Sequence, residues 1–260
     1  DAQEFIWRDM EGDCYGPGYY NSTTNPSDYG LWALDIVEFR MTINETHLFM
    51  LIRVVNLTDP WGGPNGFSGP IFVVGIDKDN VTNSGQEWVV GYADCVYTSQ
   101  HWAEIQIKIW GWGCEARNAT WDVTGYGVAA GNTTTNVVEI AIPWDALEET
   151  GPPLGETWYV MVGSGCEYYG GFNEVGPAQN ASDNWADPDI YDLCFYPTRA
   201  DQEAELDTWA IDTPAVITGG YFKVTFSTQG VVPEFPISLL LPLLGTIVTS
   251  VVLVRRKAQA

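Results

Sequence analysis

Among the side chains able to do chemistry, the carboxylates come first. The segment Asp9-Met10-Glu11-Gly12-Asp13-Cys14-Tyr15-Gly16 sets Asp9, Glu11 and Asp13 at alternate positions before a glycine-rich turn. Calcium wants several hard oxygens, and alternate side chains with a backbone carbonyl can wrap one ion. The closing Glu of an EF-hand is missing. Asp77 and Asp79 at a strand end are a second candidate, and Asp187, Asp189 and Asp192 a third. A solvated acidic loop is the alternative for each.

Aromatic rings supply the second kind of chemistry. Sugar recognition uses flat apolar platforms with polar groups around them. Trp61 and Phe67 lie in a Gly/Pro-rich loop; Trp110, Trp112 and Trp121 cluster around another; Tyr168, Tyr169 and Phe172 form a third set. The carbohydrate-binding candidates are Trp61, Phe67, Trp110, Trp112, Tyr168 and Tyr169, with core packing or loop anchoring as the alternative. Catalytic signatures are missing: the chain holds no Gly-x-Ser-x-Gly, no HExxH and no phosphate-binding glycine loop. Its two histidines, His47 and His101, read as structural. The expectation is a protein without catalytic residues.

Five cysteines are present, none in a CxxC, which disfavours zinc ribbons and c-type haem attachment. In an exported protein disulfides are the default. Spacing suggests Cys95–Cys114 and Cys166–Cys194 with Cys14 left over, although spacing alone does not fix connectivity.

The elements that must carry these residues read as strands. Ile105 to Trp110 alternates with three isoleucines on one face. Trp32 to Ile43, Leu48 to Val55, Ile71 to Ile76, Glu87 to Tyr92, Val137 to Ile142, Trp158 to Val162 and Tyr221 to Phe226 are further strand candidates. Gly/Pro clusters punctuate them, and helix is expected only at Pro143 to Glu149 and Asp201 to Trp209. The expected fold is all-β, an antiparallel sandwich or jelly roll over residues 1–226.

Residues 227–236 then read as a linker. Ile237 to Val254 is uncharged and apolar, about 27 Å long as a helix and so near the thickness of a bilayer's hydrocarbon core. Arg255, Arg256 and Lys257 follow, so 237–254 reads as a transmembrane helix with 255–260 as a cytoplasmic basic tail. The bulk of the chain then faces outward, at the cell surface. The chain opens at Asp1 rather than Met, and the topology needs an export signal, so a removed leader is expected. Seven Asn-x-Ser/Thr sequons, at Asn21, Asn44, Asn56, Asn80, Asn118, Asn132 and Asn180, mark sites for N-linked glycans. With 34 acidic against 11 basic residues, the net charge is -23; such a surface repels phosphate backbones and excludes nucleic acid as a partner.

Two resemblances add to this. Val232-Pro233-Glu234-Phe235-Pro236, followed by the apolar segment and basic cluster, resembles the archaeal PEF-type sorting signal; that implies an archaeal cell surface and processing near the motif. Asp9-x-x-Gly12-Asp13-x-x-Gly16-Pro17-Gly18-Tyr19-Tyr20 resembles the opening of the glucodextranase-like C-terminal domain, a DOMON-like β-sandwich. Asp35-Ile36-Val37-Glu38-Phe39, Pro60-Trp61-Gly62-Gly63-Pro64-Asn65-Gly66-Phe67-Ser68, Ile76-Asp77, Gly111-Trp112, Ile142-Pro143, Asp187 to Leu193 and Gln202-x-x-x-Leu206 continue it in order, over about residues 7–209. Cys14 departs from the family, standing where a second Asp is usual. The resemblance implies a non-catalytic module associated with polysaccharide-degrading enzymes and archaeal surfaces. A carbohydrate-binding surface module is the first expectation. A surface-layer or assembly subunit, self-associating through calcium, is the second. The wider DOMON-like group adds haem binding, for which His47, His101, Met10, Met41, Met50 and Met161 would supply ligands.

Overall fold

The computed structural model describes residues 3–17, 32–173 and 186–228. In chain order the strands are β1 (Glu4–Arg8), β2 (Ile36–Ile43), β3 (His47–Val54), β4 (Pro70–Asp77), β5 (Cys95–Tyr97), β6 (Ile105–Trp110), β7 (Gly113–Asn118), β8 (Val123–Tyr126), β9 (Val128–Asn132), β10 (Val137–Pro143), β11 (Thr157–Tyr168), β12 (Gly171–Phe172), β13 (Asp192–Leu193), β14 (Ala215–Ile217) and β15 (Phe222–Thr225). One helix, α1 (Arg199–Leu206), and a 3-10 turn at Trp144–Leu147 complete the described elements.

Alternation of side chains decides how these strands stack. In β3, Leu48, Met50, Ile52 and Val54 all point to one buried face. The same two-residue period buries Phe39 and Met41 of β2, Val138, Ile140 and Ile142 of β10, and Ile105, Ile107 and Ile109 of β6. Strands β1-β2-β3-β10-β9 form one antiparallel sheet. A larger sheet runs β12-β11-β4-β6-β7-β8, and β13 and β15 also pair with β11 along the edge opposite β4. The two sheets enclose the main core, so the molecule is a β-sandwich.

Strand β4 is buried along its full length because a second layer covers the outer face of the larger sheet. Phe72, Val74 and Ile76 enter the core between the sheets. Ile71 and Val73 enter a separate cluster with Val89, Val90, Tyr97, Leu206 and Ile217. That cover is built from the parallel pair β5–β14, from α1 and from the loop around Val89. Gln106, on the outward face of β6, holds the cover: its carbonyl accepts from Val90 N (2.7 Å) and Tyr97 Oη (2.9 Å), and its amide donates to Trp88 O (2.9 Å). A central strand sandwiched this way reads as a continuous apolar run.

Several sequence expectations change here. Glu87 to Tyr92 is not a strand; only isolated bridges, Gln86 with Ala103 and Trp88 with Val96, remain. Gly91 (φ 89°), Tyr92 (φ 63°) and Asp94 (φ 52°) take the left-handed region, so the segment curls over the sheet rather than extending. All five cysteines are free and buried. The expected Cys95–Cys114 bridge does not form because Cys95 sits in the outer cluster and Cys114 between the sheets. Cys166 and Cys194 are likewise apart: Cys194 N donates to Val162 O (2.9 Å), four residues along β11 from Cys166. Burial pushes every thiol up, that of Cys114 to about 12. The segments 237–254 and 255–260 lie outside the described residues. Among the described residues, no helix is long and apolar enough to cross a membrane.

Candidate functional site

Five of the six aromatic candidates meet at one end of the larger sheet. The ends of β6 and β11 bring Trp110 and Tyr168 there, and the start of β4 lies between them, with Ile71 opposite Trp110 and Pro70 opposite Cys166. Trp61 comes from the β3–β4 connection, Trp112 from the two-residue tip of the β6–β7 hairpin, and Tyr169 from the β11–β12 turn. Together Trp61, Trp110, Trp112, Glu167, Tyr168, Tyr169 and Gly170 line a cleft of about 710 Å³. A volume in the range of about 300–1,000 Å³ lined by aromatics and a few polar groups suits a small ligand or a short run of a polymer.

Backbone geometry holds these rings outward. Tyr169 (φ 48°) and Gly170 (φ 80°) both have positive φ, as a type I′ hairpin turn requires. Tyr169 is 91% exposed, and its ring meets Tyr168 edge-on with centroids 4.6 Å apart. A tyrosine held left-handed in the open is a local cost that packing does not explain. Glu167 Oε1 accepts from Gly170 N at 2.6 Å and so locks the turn. Burial raises the Glu167 carboxyl above its ordinary range, while the Gly170 N–H and the Lys108 ammonium oppose the rise. Lys108 Nζ sits 4.7 Å from the centre of a Trp110 ring and 3.1 Å from Glu115 Oε1.

The β3–β4 connection is pinned to the hairpin tip. Asn65 N donates to Gly111 O (3.0 Å), and Asn65 Nδ2 to Trp110 O (2.9 Å). Asp59 Oδ1 accepts from Gly63 N and Ser68 Oγ, and Ser68 Oγ accepts from Trp61 N. The loop and tip approach so closely that a Cβ on Gly63 or Gly111 would fall 2.1 or 2.3 Å from Phe67 O. Phe67 itself is no part of the cleft. It is fully buried beside Phe72 and the Gly131 backbone, where the Gly66 turn directs it inward. Sequence reasoning missed Glu167, Lys108 and Asn65; only the adjacency of Glu167 to the tyrosine pair hinted at any of them.

Carboxylates gather at a second place. Oxygens of Asp9, Asp13 and Asp192 lie within 4.8 Å of one another. Asp35 borders them: its charge raises Asp9 and Asp192, and it is itself raised by Asp13. Glu11, expected alongside Asp9 and Asp13, turns out into solvent instead. Burial is the largest cause of the high pKa values, and repulsion from neighbouring carboxylates adds to it at Asp9, Asp35 and Asp192. Asp9 is raised to about 8, Asp35 to about 7 despite the Gly12 N–H, and Asp13 to about 6 despite its own N–H and Arg199; Asp192 is raised well above the ordinary range. Asp77, Asp79 and Glu104 form another close trio. There Asp77 accepts from Asn80 N (2.7 Å) and lies 2.7 Å from His101 Nδ1, while Asp79 accepts from Val81 N and Ser84 Oγ. These bonds account for Asp77 and Asp79 as builders of a turn.

The other expectations are scattered. Met41 and Met50 face the main core, Met161 the outer cluster, and Met10 is exposed; His101 stacks on Tyr159. Among the described residues these do not ring one cavity as a haem would need. Asn56, Asn80 and Asn132 are exposed, Asn44 and Asn118 half-buried at turns, and Asn21 and Asn180 lie outside the described residues. No curated protein matches the chain. The family described as the C-terminal binding module, SLH-like, of glucodextranase matches residues 5–219, which takes in both the aromatic cleft and the acidic cluster. A match over so much of the sandwich makes this chain a member of that glucodextranase C-terminal binding-module family.

Proposed function

We propose that the chain is a non-catalytic module that binds neutral polysaccharide in the cleft lined by Trp61, Trp110, Trp112, Tyr168 and Tyr169. The observation that carries this is the convergence of five aromatic side chains, from three separate connections and the ends of β6 and β11, on one open cleft. Their faces match the apolar C–H faces of pyranose rings, and Glu167 supplies a polar group at the wall. The net charge of -23 disfavours anionic polysaccharides and leaves neutral ones as the substrate class. The family's description as a binding module supports the same reading. Calorimetry against dextran, starch-type glucan and an anionic polymer such as pectate tests it. Neutral glucan binding that weakens about tenfold or more in Trp112→Ala and Trp61→Ala, a loss of roughly 1.4 kcal/mol each, is expected. No neutral polysaccharide binding, or binding unchanged in both variants, would overturn it.

The uncharged run Ile237 to Val254 with its following Arg255, Arg256 and Lys257 supports tethering to a membrane with the module outside. Exported, the module would carry glycans at its sequons, and the Pro-Glu-Phe segment fits sorting to an archaeal surface.

A further inference from the structure

We propose that Asp9, Asp13 and Asp192, with Asp35 beside them, hold one calcium ion that staples the N-terminal segment to the sandwich. The inference is independent of the polysaccharide reading. Oxygens within 4.8 Å of one another fit inside the diameter of a shell with calcium–oxygen distances of about 2.3–2.6 Å. The oxygens are also left over. Asp13 is fully buried, and neither of its carboxylate oxygens has a hydrogen-bond partner. Asp35 and Asp192 are fully buried too, and each has its Oδ1 unpartnered.

Their other oxygens are fixed by the backbone: Asp35 Oδ2 accepts from Gly12 N (2.7 Å) and Asp192 Oδ2 from Ile36 N (2.6 Å). Each carboxylate is thereby oriented with one oxygen held and one offered. Buried carboxylates without partners cost several kcal/mol unless a cation balances them. The cation in reach is Arg199, which lowers Asp13, but its guanidinium pairs with Glu203 and lies 3.3 Å from the centre of the Tyr15 ring. One divalent ion answers both the charge and the empty acceptor positions.

The ligands come from distant parts of the chain: the segment after β1, the approach to β2, and β13. Gln202 of α1, fully buried, ties the same parts together by donating to Asp13 O (2.9 Å) and accepting from Leu193 N (2.8 Å). Gly16 N donates to Tyr191 O (2.8 Å), and the Ser164 hydroxyl donates to Leu34 O. Such an ion acts within one molecule. It therefore does not serve as a bridge between copies, the role that a surface-layer reading gives calcium.

The test uses the purified full chain, stripped with chelator and titrated with calcium, magnesium or zinc alone. Calcium is expected to bind at one site per chain, with a Kd on the order of 10⁻⁶–10⁻³ M, and to raise the Tm by about 5–10 °C at a hundredfold excess over Kd. Hydrogen exchange should slow at residues 9–17, 33–37 and 189–195. Asp13→Asn removes a repelled charge without changing shape. It should raise the Tm in chelator yet abolish the calcium response, a change of sign that a merely structural residue would not give. Asp77→Asn should keep the response. The proposal falls if calcium leaves Tm and exchange unmoved, if protection appears only at residues 77–84, if zinc outcompetes calcium, or if Asp13→Asn and Asp192→Asn both respond like the parent. Where a variant does not fold, the exchange map of the parent chain decides alone.

Discussion

Phe67 and Trp112 look alike in sequence, since both are aromatics in glycine-rich loops, yet they do opposite work. Phe67 is fully buried, with its ring centroid 6.1 Å from that of Phe72, whereas Trp112 is 46% exposed at a hairpin tip. Truncating a buried phenylalanine loses transfer free energy and leaves a cavity, which costs about 3–5 kcal/mol. Phe67→Ala should therefore lower the denaturant midpoint markedly at unchanged m-value, while Trp112→Ala leaves it within about 0.5 kcal/mol. Equilibrium urea unfolding of the two variants side by side checks this. Equal stability losses would mean that Trp112 is a core residue and the cleft a packing feature. Residue type could not separate the two, because burial depends on which way Gly66, at φ 78°, turns the chain.

At the scale of elements, the strands with clean alternation were legible and the rest were not. Ile105 to Trp110 is a strand as read, and β2, β3, β4, β10 and β15 lie within a few residues of their expected bounds. Their inward residues alternate, so the sequence carries the signal locally. The short β12, β13 and β14 have no such pattern; they exist because β11 and β5 offer unpaired edges. The same limit governs the sites. Asp9 and Asp13 were readable as a cluster, but Asp35 and Asp192 join only through pairing across the fold, and Glu11 drops out because it faces solvent. The β6–β7 hairpin offers a test of element-level positioning. Gly113 stands opposite Trp110, and a Cβ there would meet the Trp110 ring at 2.4 Å. The ring, not the backbone, must move. Gly113→Ala should thus keep the fold, shift the near-ultraviolet circular dichroism, and weaken glucan binding several-fold although residue 113 does not line the cleft. Unaltered binding would show that the orientation of Trp110 is irrelevant to the ligand.

For the molecule as a whole, the decisive geometry is the direction of β11. Thr225 pairs with Thr157 at the start of that strand, and Phe226 N donates to Glu156 O (2.9 Å) just before it. Tyr168 closes the strand at the cleft. The 12 residues of β11 span about 36 Å at roughly 3.3 Å per residue. The chain therefore leaves the sandwich toward residue 229 at the end opposite the aromatic rings. If residues 237–254 enter a bilayer, the cleft lies at the end of the sandwich away from the point where the chain leaves it. Full chain reconstituted in zwitterionic lipid vesicles should then bind soluble neutral glucan with the Kd of a chain ending at Thr228, within about twofold, since the binding contacts are unchanged and only about 0.4 kcal/mol separates such values. A large loss of affinity on reconstitution, with full affinity in the shortened chain, would place the cleft against the lipid and reverse the orientation argued from β11.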